Sequence, residues 1–184
     1  INSLALQSFA NALKETGGHI IQISTDYVFN GEQNYPYKTS DTRNPLGIYG
    51  KTKYEGERFL ENILKNTCQF TIIRTSWLVG PWRENFVKTI LKKLKSKNDQ
   101  KSLKIVSDQV GCITTTESLS KIILTLLIKK SNNEKLPTHL HWCSSGQASW
   151  YQIALTIKKI SEEINFINSE ILLEPVSSKE YKSL

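Results

Sequence analysis

Tyr49 and Lys53 stand four residues apart in Tyr49-Gly50-Lys51-Thr52-Lys53, which opens a charged helical run through Glu55, Glu57 and Arg58. Residues at that spacing share a helix face, so the lysine ammonium can sit beneath the tyrosine phenol. A free phenol ionises near pH ~10, too high for easy proton exchange at neutral pH. A neighbouring cation favours the phenolate and brings the group within reach of acid–base work near pH ~7. Upstream, Ser24-Thr25 offers two hydroxyls, and Thr25 can hold a carbonyl oxygen while Tyr49 protonates it. These groups together are apparatus for reducing a ketone, or for the reverse. Tyr-x-x-x-Lys alone also has a bland reading, one half-buried ring and one solvated charge. The hydroxyl pair upstream and the turn-rich stretch between them favour chemistry.

These side chains need particular elements to carry them. Residues 19–24 form a β-branched run that suits a strand buried on both faces. The run stops at Ser24-Thr25, the carboxyl end of a parallel strand, where open α/β sheets bind ligands. Asn30-Gly31, Tyr35-Pro36 and Asn44-Pro45 mark residues 30–47 as a loop. The pattern then predicts a helix over 49–66 with Tyr54, Phe59, Leu60, Ile63 and Leu64 as its buried stripe. Before the strand, a helix over 2–15 carries Leu4, Leu6, Phe9, Ala10 and Leu13 near a 3.6-residue period, and Gly17-Gly18 ends it.

After the Tyr–Lys helix, residues 69–74 read as another β-branched strand, which delivers Thr75-Ser76-Trp77 to the same edge as Thr25. Trp77 just past a sheet's carboxyl edge favours a crevice-facing role over a core one. Asn85 is well placed to cap a helix running through Lys97, and residues 103–106 form a short strand. An apolar helix is expected over 115–130, with Ile122, Ile123, Leu126 and Leu127 buried. Residues 138–143 alternate as a strand with His139 and His141 on one face, and no further metal ligands stand near them. Ser149 caps a helix starting at Trp150-Tyr151, whose core stripe is Ile153, Ala154, Ile157 and Ile160.

Composition narrows the class. In 184 residues, a hydrophobic content of 39% and a charged content of 22% are ordinary for a soluble globular protein. The best apolar run, 122–128, is far too short to span a bilayer, and no signal-peptide pattern opens the chain. Cys68, Cys112 and Cys143 are scattered without metal spacing, which reads as reduced structural thiols of a cytoplasmic protein. The net charge of +7 comes from lysines spread over helix faces rather than gathered with aromatics, so no nucleic-acid partner and no membrane partner is expected. A modest positive field would help attract an anionic ligand.

Several ordered motifs extend the pattern. Ser24-Thr25-Asp26-Tyr27-Val28-Phe29-Asn30-Gly31, Asn44-Pro45 and Tyr49-Gly50-Lys51-Thr52-Lys53 are followed by Arg74-Thr75-Ser76-Trp77, Asn85-Phe86-Val87, Asp108-Gln109-Val110-Gly111 and Ser149-Trp150-Tyr151. In this order they resemble the extended short-chain dehydrogenase/reductase superfamily, and within it the dTDP-4-dehydrorhamnose reductase family. The resemblance covers nearly the whole chain. It implies an α/β fold: part of a Rossmann-like parallel sheet, its second half, with a small α/β substrate-binding lobe. Residues 1–77 would be the Rossmann part with the catalytic helix. Residues 78–184 would be mostly substrate lobe, interleaved with the last Rossmann elements.

The resemblance also implies reduction of dTDP-4-dehydro-L-rhamnose to dTDP-L-rhamnose with NADPH or NADH, in a protein that forms a homodimer. Thr25, Tyr49 and Lys53 would be catalytic. Ser24, Tyr49, Lys53, Thr75 and Ser76 would meet the cofactor. Thr25, Tyr27, Trp77, Asn85, Asp108 and Gln109 would meet the dTDP-sugar, Asn85 at its diphosphate. Asn2 looks like the asparagine that bonds backbone and a relay water, or else is an asparagine with no special role. One departure stands out: the family continues from Gly111, one residue later, with Pro-Thr, where this chain has Ile113-Thr114. That change alters the loop and weakens the transfer of substrate contacts to Asp108 and Gln109.

The family's opening strand, Gly-rich turn and helix, which hold the cofactor pyrophosphate, are not among these residues, nor are its closing Arg-Pro segment and final helix. The chain is therefore expected to be an internal fragment. Two other classes remain open. One is an epimerase or dehydratase of sugar nucleotides, kept alive by Asp26 beside Thr25. The other is a non-catalytic relative resembling the regulatory subunit of methionine adenosyltransferase, against which the joint presence of Thr25, Tyr49 and Lys53 argues.

Overall fold

The computed structural model describes residues 1–67, 69–96 and 101–181. Cys68 and Lys97, named above, lie outside them. In chain order the elements are α1 (Leu4–Thr16), β1 (Ile20–Thr25), a 3-10 turn (Asp26–Val28), α2 (Ile48–Leu64), β2 (Phe70–Thr75), β3 (Leu78–Val79), α3 (Phe86–Lys95), β4 (Ser102–Val106), β5 (Val110–Gly111), β6 (Thr114–Thr115), α4 (Thr116–Ser131), β7 (His139–His141), β8 (Ala148–Ser149), α5 (Trp150–Glu163), β9 (Leu172–Val176) and α6 (Ser178–Tyr181). They divide into two compact units, one of residues 1–76 and 117–143, the other of residues 77–116 and 144–184.

The first unit is built on a parallel sheet of order β1-β2-β7. Its strand residues alternate between two cores, as a pleated strand covered on both faces requires. Ile20, Phe70 and Ile72 pack with Ala10 and Leu13 of α1 and with Leu60, Ile63 and Leu64 of α2. Ile21, Ile23, Ile73 and Leu140 pack instead with Leu119, Ile122, Ile123 and Leu126 of α4. Full burial of one such side chain stabilises by roughly 1.5–3 kcal/mol, so fully buried Leu60, Leu64, Ile72 and Ile73 are a large part of what holds this layer.

The α/β class and the parallel sheet agree with the sequence, but several finer expectations change. The strand buried along its whole length is β2, whereas β1 lies at the edge of this sheet with its first four residues only half buried. On α1, Leu4 and Phe9 face solvent, and Leu6 and Ala10 are the buried pair. On α4, Leu119 and Leu126 are buried, but Leu127 is exposed. A sixteen-residue helix against one sheet face can bury only one stripe, and this one carries more apolar residues than that stripe holds.

The second unit contains three two-stranded pairs: β3 with β6 and β4 with β9, both parallel, and antiparallel β5 with β8. Ile90 and Leu94 of α3, Leu103 and Ile105 of β4, and Ala154 of α5 form its core with Ile167 and Ile171. Local chemistry sets the helix starts. Asn85 Oδ1 accepts from the Lys88 amide to cap α3. Ser149 and Gln152 bond reciprocally as a capping box at α5. Ile160, expected in the core, is exposed on α5, and Ser161 takes the buried place next to it.

Candidate active site

In the first unit, Ser24 and Thr25 end β1, directly opposite Arg74 and Thr75 at the end of β2, and both are buried. The Thr25 hydroxyl is already engaged. It accepts from the Tyr27 amide at 3.2 Å and donates to Asp26 Oδ1 at 3.1 Å, which caps the 3-10 turn. Burial pushes the Asp26 carboxyl up, against hydrogen bonds from Thr25 and the backbone that pull it down. To donate to a ligand, Thr25 must turn its proton away from Asp26.

Both Tyr49 and Lys53 fall inside α2, four residues apart on one face, as their spacing requires. The Tyr49 ring is half exposed and meets the Tyr27 ring edge-on, with centroids 6.1 Å apart. Burial, with the charges of Asp26 and Tyr49, pushes the Tyr27 phenol up. The Lys53 ammonium donates to the Ile23 carbonyl at 3.2 Å, which ties the helix to β1 two residues before Thr25. Burial pushes that ammonium down, and the Glu57 carboxylate opposes the shift.

Two glycines let α2 approach this closely. A Cβ on Gly50 would overlap the Tyr27 carbonyl oxygen, and one on Gly56 would overlap the Asn2 carbonyl oxygen. Gly50 therefore seats the Tyr49–Lys53 turn against the 3-10 turn after Thr25, and Gly56 seats α2 against the start of α1. Asn2 Nδ2 donates to Thr52 Oγ1 at 3.4 Å, so its side chain is held by the helix that carries Tyr49. Thr75 ends β2 at the same sheet end and is buried, and Ser76 follows it.

Behind these residues lies a buried ion network. Glu57, fully buried on α2, accepts the Ser24 hydroxyl and is forked by Arg74, Nε to Oε1 at 3.1 Å and Nη2 to Oε2 at 2.9 Å. Arg43, from the loop between the 3-10 turn and α2, bonds Glu57 at 2.7 Å and Glu61 at 2.7 and 2.9 Å. Glu61 also accepts from His139 Nε2 at 2.8 Å. Burial alone would raise the Glu61 carboxyl, but hydrogen bonds from His139 and Arg43 overcome it and hold it at about 2. His141 Nδ1 donates to the Tyr37 carbonyl at 3.0 Å, so His139 and His141 do share a face and spend it on this network. Among the described residues, no group of three or more His, Cys, Asp or Glu gathers as for a metal ion.

The second unit holds the other expected contacts. Trp77 takes φ +44°, which is rare for a bulky residue, and stacks on Trp150 with centroids 3.7 Å apart and planes at 19°. Gly111 lies against the Trp77 ring, where a Cβ would come within 2.8 Å of Cζ2. Phe86 packs against the Trp150 ring, with centroids 4.5 Å apart, and Gln109 Oε1 accepts from Trp150 Nε1 at 3.3 Å. Phe86, Ile105, Gln109, Trp150 and Tyr181 line a pocket of about 270 Å³. Asp108 is spent locally, accepting from the Ser178 amide and hydroxyl at 2.9 Å at the start of α6. Asn85 caps α3 and donates to the Gly80 and Arg83 carbonyls at 2.7 and 2.9 Å.

The structure thus brings Ser24, Thr25, Tyr27, Tyr49 and Lys53 together on adjoining elements of one unit, and Trp77 and Gln109 around Trp150 in the other. Sequence reasoning missed Glu57, Arg74 and Arg43. One signal was present: Gly50, Lys53, Glu57, Leu60 and Leu64 recur every three or four residues, which puts a carboxylate on the buried face of α2.

Residues 1–183 match the family model described as the RmlD substrate binding domain, and the chain belongs to that family. It is 34% identical to a dTDP-4-dehydrorhamnose reductase of Sinorhizobium fredii over 98% of this chain and 59% of that protein. A solved dTDP-4-dehydrorhamnose reductase from Clostridium acetobutylicum is 34% identical, with a TM-score of 0.83 over 98% of this chain and 58% of that one. The Bacillus anthracis dTDP-4-dehydrorhamnose reductase, solved in complex with NADP, is 32% identical, with a TM-score of 0.81 over the same shares. The chain therefore spans under two thirds of the length of each of these relatives.

Proposed function

We propose that this protein reduces the C4 ketone of dTDP-4-dehydro-L-rhamnose to give dTDP-L-rhamnose, with NADPH or NADH as reductant. The observation that carries this reading is the placement of Tyr49 and Lys53 on one face of α2, bonded through Lys53 to the strand that ends in Thr25. The names of the relatives support the same substrate and cofactor. The donor set suits the nicotinamide ribose: the Lys53 ammonium has three N–H groups, of which one goes to the Ile23 carbonyl. When bound, the dinucleotide supplies the hydride.

The protein's own part is binding, orientation and proton delivery. Tyr49 gives its phenolic proton to the ketone oxygen as charge develops there. Thr25 turns its hydroxyl from Asp26 to that oxygen. Lys53 stabilises the phenolate left on Tyr49 and holds the ribose hydroxyls with its remaining N–H groups. Thr75 and Ser76 line the cofactor's side of the sheet end, and Tyr27 packs beside Tyr49 on the sugar's side. Ser24, expected to meet the cofactor, instead supports the sheet end from behind through Glu57. In the second unit, the Trp77 ring offers a face to a sugar, and Asn85 and Gln109 offer amide groups to the nucleotide. Asp108 acts at one remove, by fixing α6 through Ser178.

By the same reading, the enzyme works in the cytoplasm as a homodimer. No helix among the described residues is long and apolar enough to cross a membrane. The direct test mixes the full-length gene product with dTDP-4-dehydro-L-rhamnose and NADPH, then NADH, and follows loss of reduced-nicotinamide absorbance with product identification. Formation of dTDP-L-rhamnose is expected. A folded protein that turns over neither mixture would end this substrate assignment.

A further inference from the structure

Glu57 is the one carboxylate of the first unit that is wholly buried, and every piece carrying a candidate catalytic side chain is fastened to it or through it. On its own helix it lies one turn beyond Lys53 and two turns beyond Tyr49. From β1 it takes the hydroxyl of Ser24, the residue before Thr25. Arg74 approaches from β2 with a two-pronged bond and is itself 3% exposed. Arg43 brings the loop that leads from Thr25 to Tyr49. Arg74 also holds that loop directly, donating to the Thr39 carbonyl at 3.1 Å and lying over the Phe29 ring, which stacks on Tyr37.

A hydrophobic side chain could fill the same space at less cost in desolvation, since buried ion pairs are weak contributors to stability. Charge at this point is better explained by what it does to its neighbours. Glu57 is the charge that acts on Lys53 from its own helix, where Tyr49 lies one turn away; the elements packed against α2 carry Asp26 and Tyr27 on the 3-10 turn and Arg74 on β2. The loop adds Arg43, and α1 carries Lys14 and Glu15 at its far end. Within this set, Glu57 is the buried anion paired by two arginines.

We propose that Glu57 is a positioning residue of the Tyr49–Lys53 pair: a buried carboxylate that sets the charge state of Lys53 and locks the Thr25 strand end to α2, with Arg74 and Arg43 holding its own strength in check. This rests on the assignment of Tyr49 and Lys53 given above. Its sign is specific. Removing the anion favours loss of a proton by every nearby group, and removing one of the arginines does the opposite. Mere loosening of the fold would not reverse sign between the two.

The test measures Lys53 directly, without substrate or cofactor. Site-resolved acylation by an amine reagent, followed by mass spectrometry across pH, gives the midpoint for Lys53 in the full chain. Glu57→Gln should lower that midpoint by about one pH unit, and Arg43→Gln should raise it by about half a unit. Arg43 is only partly buried, so its variant still tests the sign if Glu57→Gln fails to fold. Midpoints that stay put, or that move the same way in both variants, would overturn the proposal. Where the parent enzyme turns over the ketone, the alkaline limb of kcat/KM should follow the same two directions. A parent without turnover counts against the assigned reaction and leaves the labelling result to decide the role of Glu57.

Discussion

The unit of residues 1–76 and 117–143 holds its candidate side chains with buried ions and glycine contacts, whereas the unit of residues 77–116 and 144–184 holds Trp77 with stacked rings. The contrast follows from what each must fix. A proton donor and its cation need defined distances and a defined field, which charge-assisted forks and backbone contacts supply. An aromatic face needs only a plane, and Trp150 behind Trp77 supplies one even with the backbone at φ +44°. The first device fails abruptly when one partner is lost, and the second loses its function by degrees.

Substitutions can sharpen that contrast. The largest effect should come from Arg74→Leu, which strips the fork from Glu57 and should destabilise by about 3–5 kcal/mol in chemical denaturation. Next is acid. The Glu61 carboxyl sits at about 2 rather than its ordinary 4.5, so the unfolded chain binds that proton first as pH falls. Its contribution, about 3 kcal/mol, is present above pH 4.5 and lost as pH drops through about 2. Melting temperatures across this window should fall less steeply in Glu61→Gln than in the parent.

Gly50→Ala should cost about 1–3 kcal/mol, because the new methyl group meets the Tyr27 carbonyl and must push α2 off the 3-10 turn. Gly47→Ala, with nothing within 4 Å, should lose at most about 1 kcal/mol in the same melts, the cost of alanine at the N-cap of α2. If both glycines behaved alike, the close seating of α2 would not be what fixes Tyr49. Among the substitutions that remove a packing contact, Trp150→Leu should have the smallest effect on stability, about 1–2 kcal/mol for the lost ring contacts. It should also change tryptophan fluorescence as Trp77 loses its stacking partner. A cooperative collapse of the whole chain on this substitution would contradict the graded behaviour of the second unit.

The contrast also explains what could be seen in the residues alone. Spacing put Tyr49 and Lys53 on one helix face, and the β-branched run ending in Ser24-Thr25 marked a strand end, because local periodicity carries both facts. The Glu57 network draws on positions 24, 43, 57, 61, 74, 139 and 141, and no local pattern joins them. Glu57 reads as one more charge on a charged helix until the face it shares with Gly50, Leu60 and Leu64 is traced. Trp150 reads as packing, and its stack with Trp77 depends on a tertiary fold that brings residues far apart in sequence together. Leu127 and Ile160 are exposed for the opposite reason: apolar content exceeds the stripe that can be buried.

On the proposed reading, Tyr49 protonates a ketone oxygen with Lys53 beneath it. The most direct check is single-turnover reduction of dTDP-4-dehydro-L-rhamnose by the full-length protein and its Tyr49→Phe variant, each saturated with reduced nicotinamide cofactor. The variant should fold and its rate should fall by about 10²–10⁴-fold, the usual worth of a positioned proton donor. A variant that keeps the parent rate would contradict it and move proton delivery to another group, Asp26 beside Thr25 first.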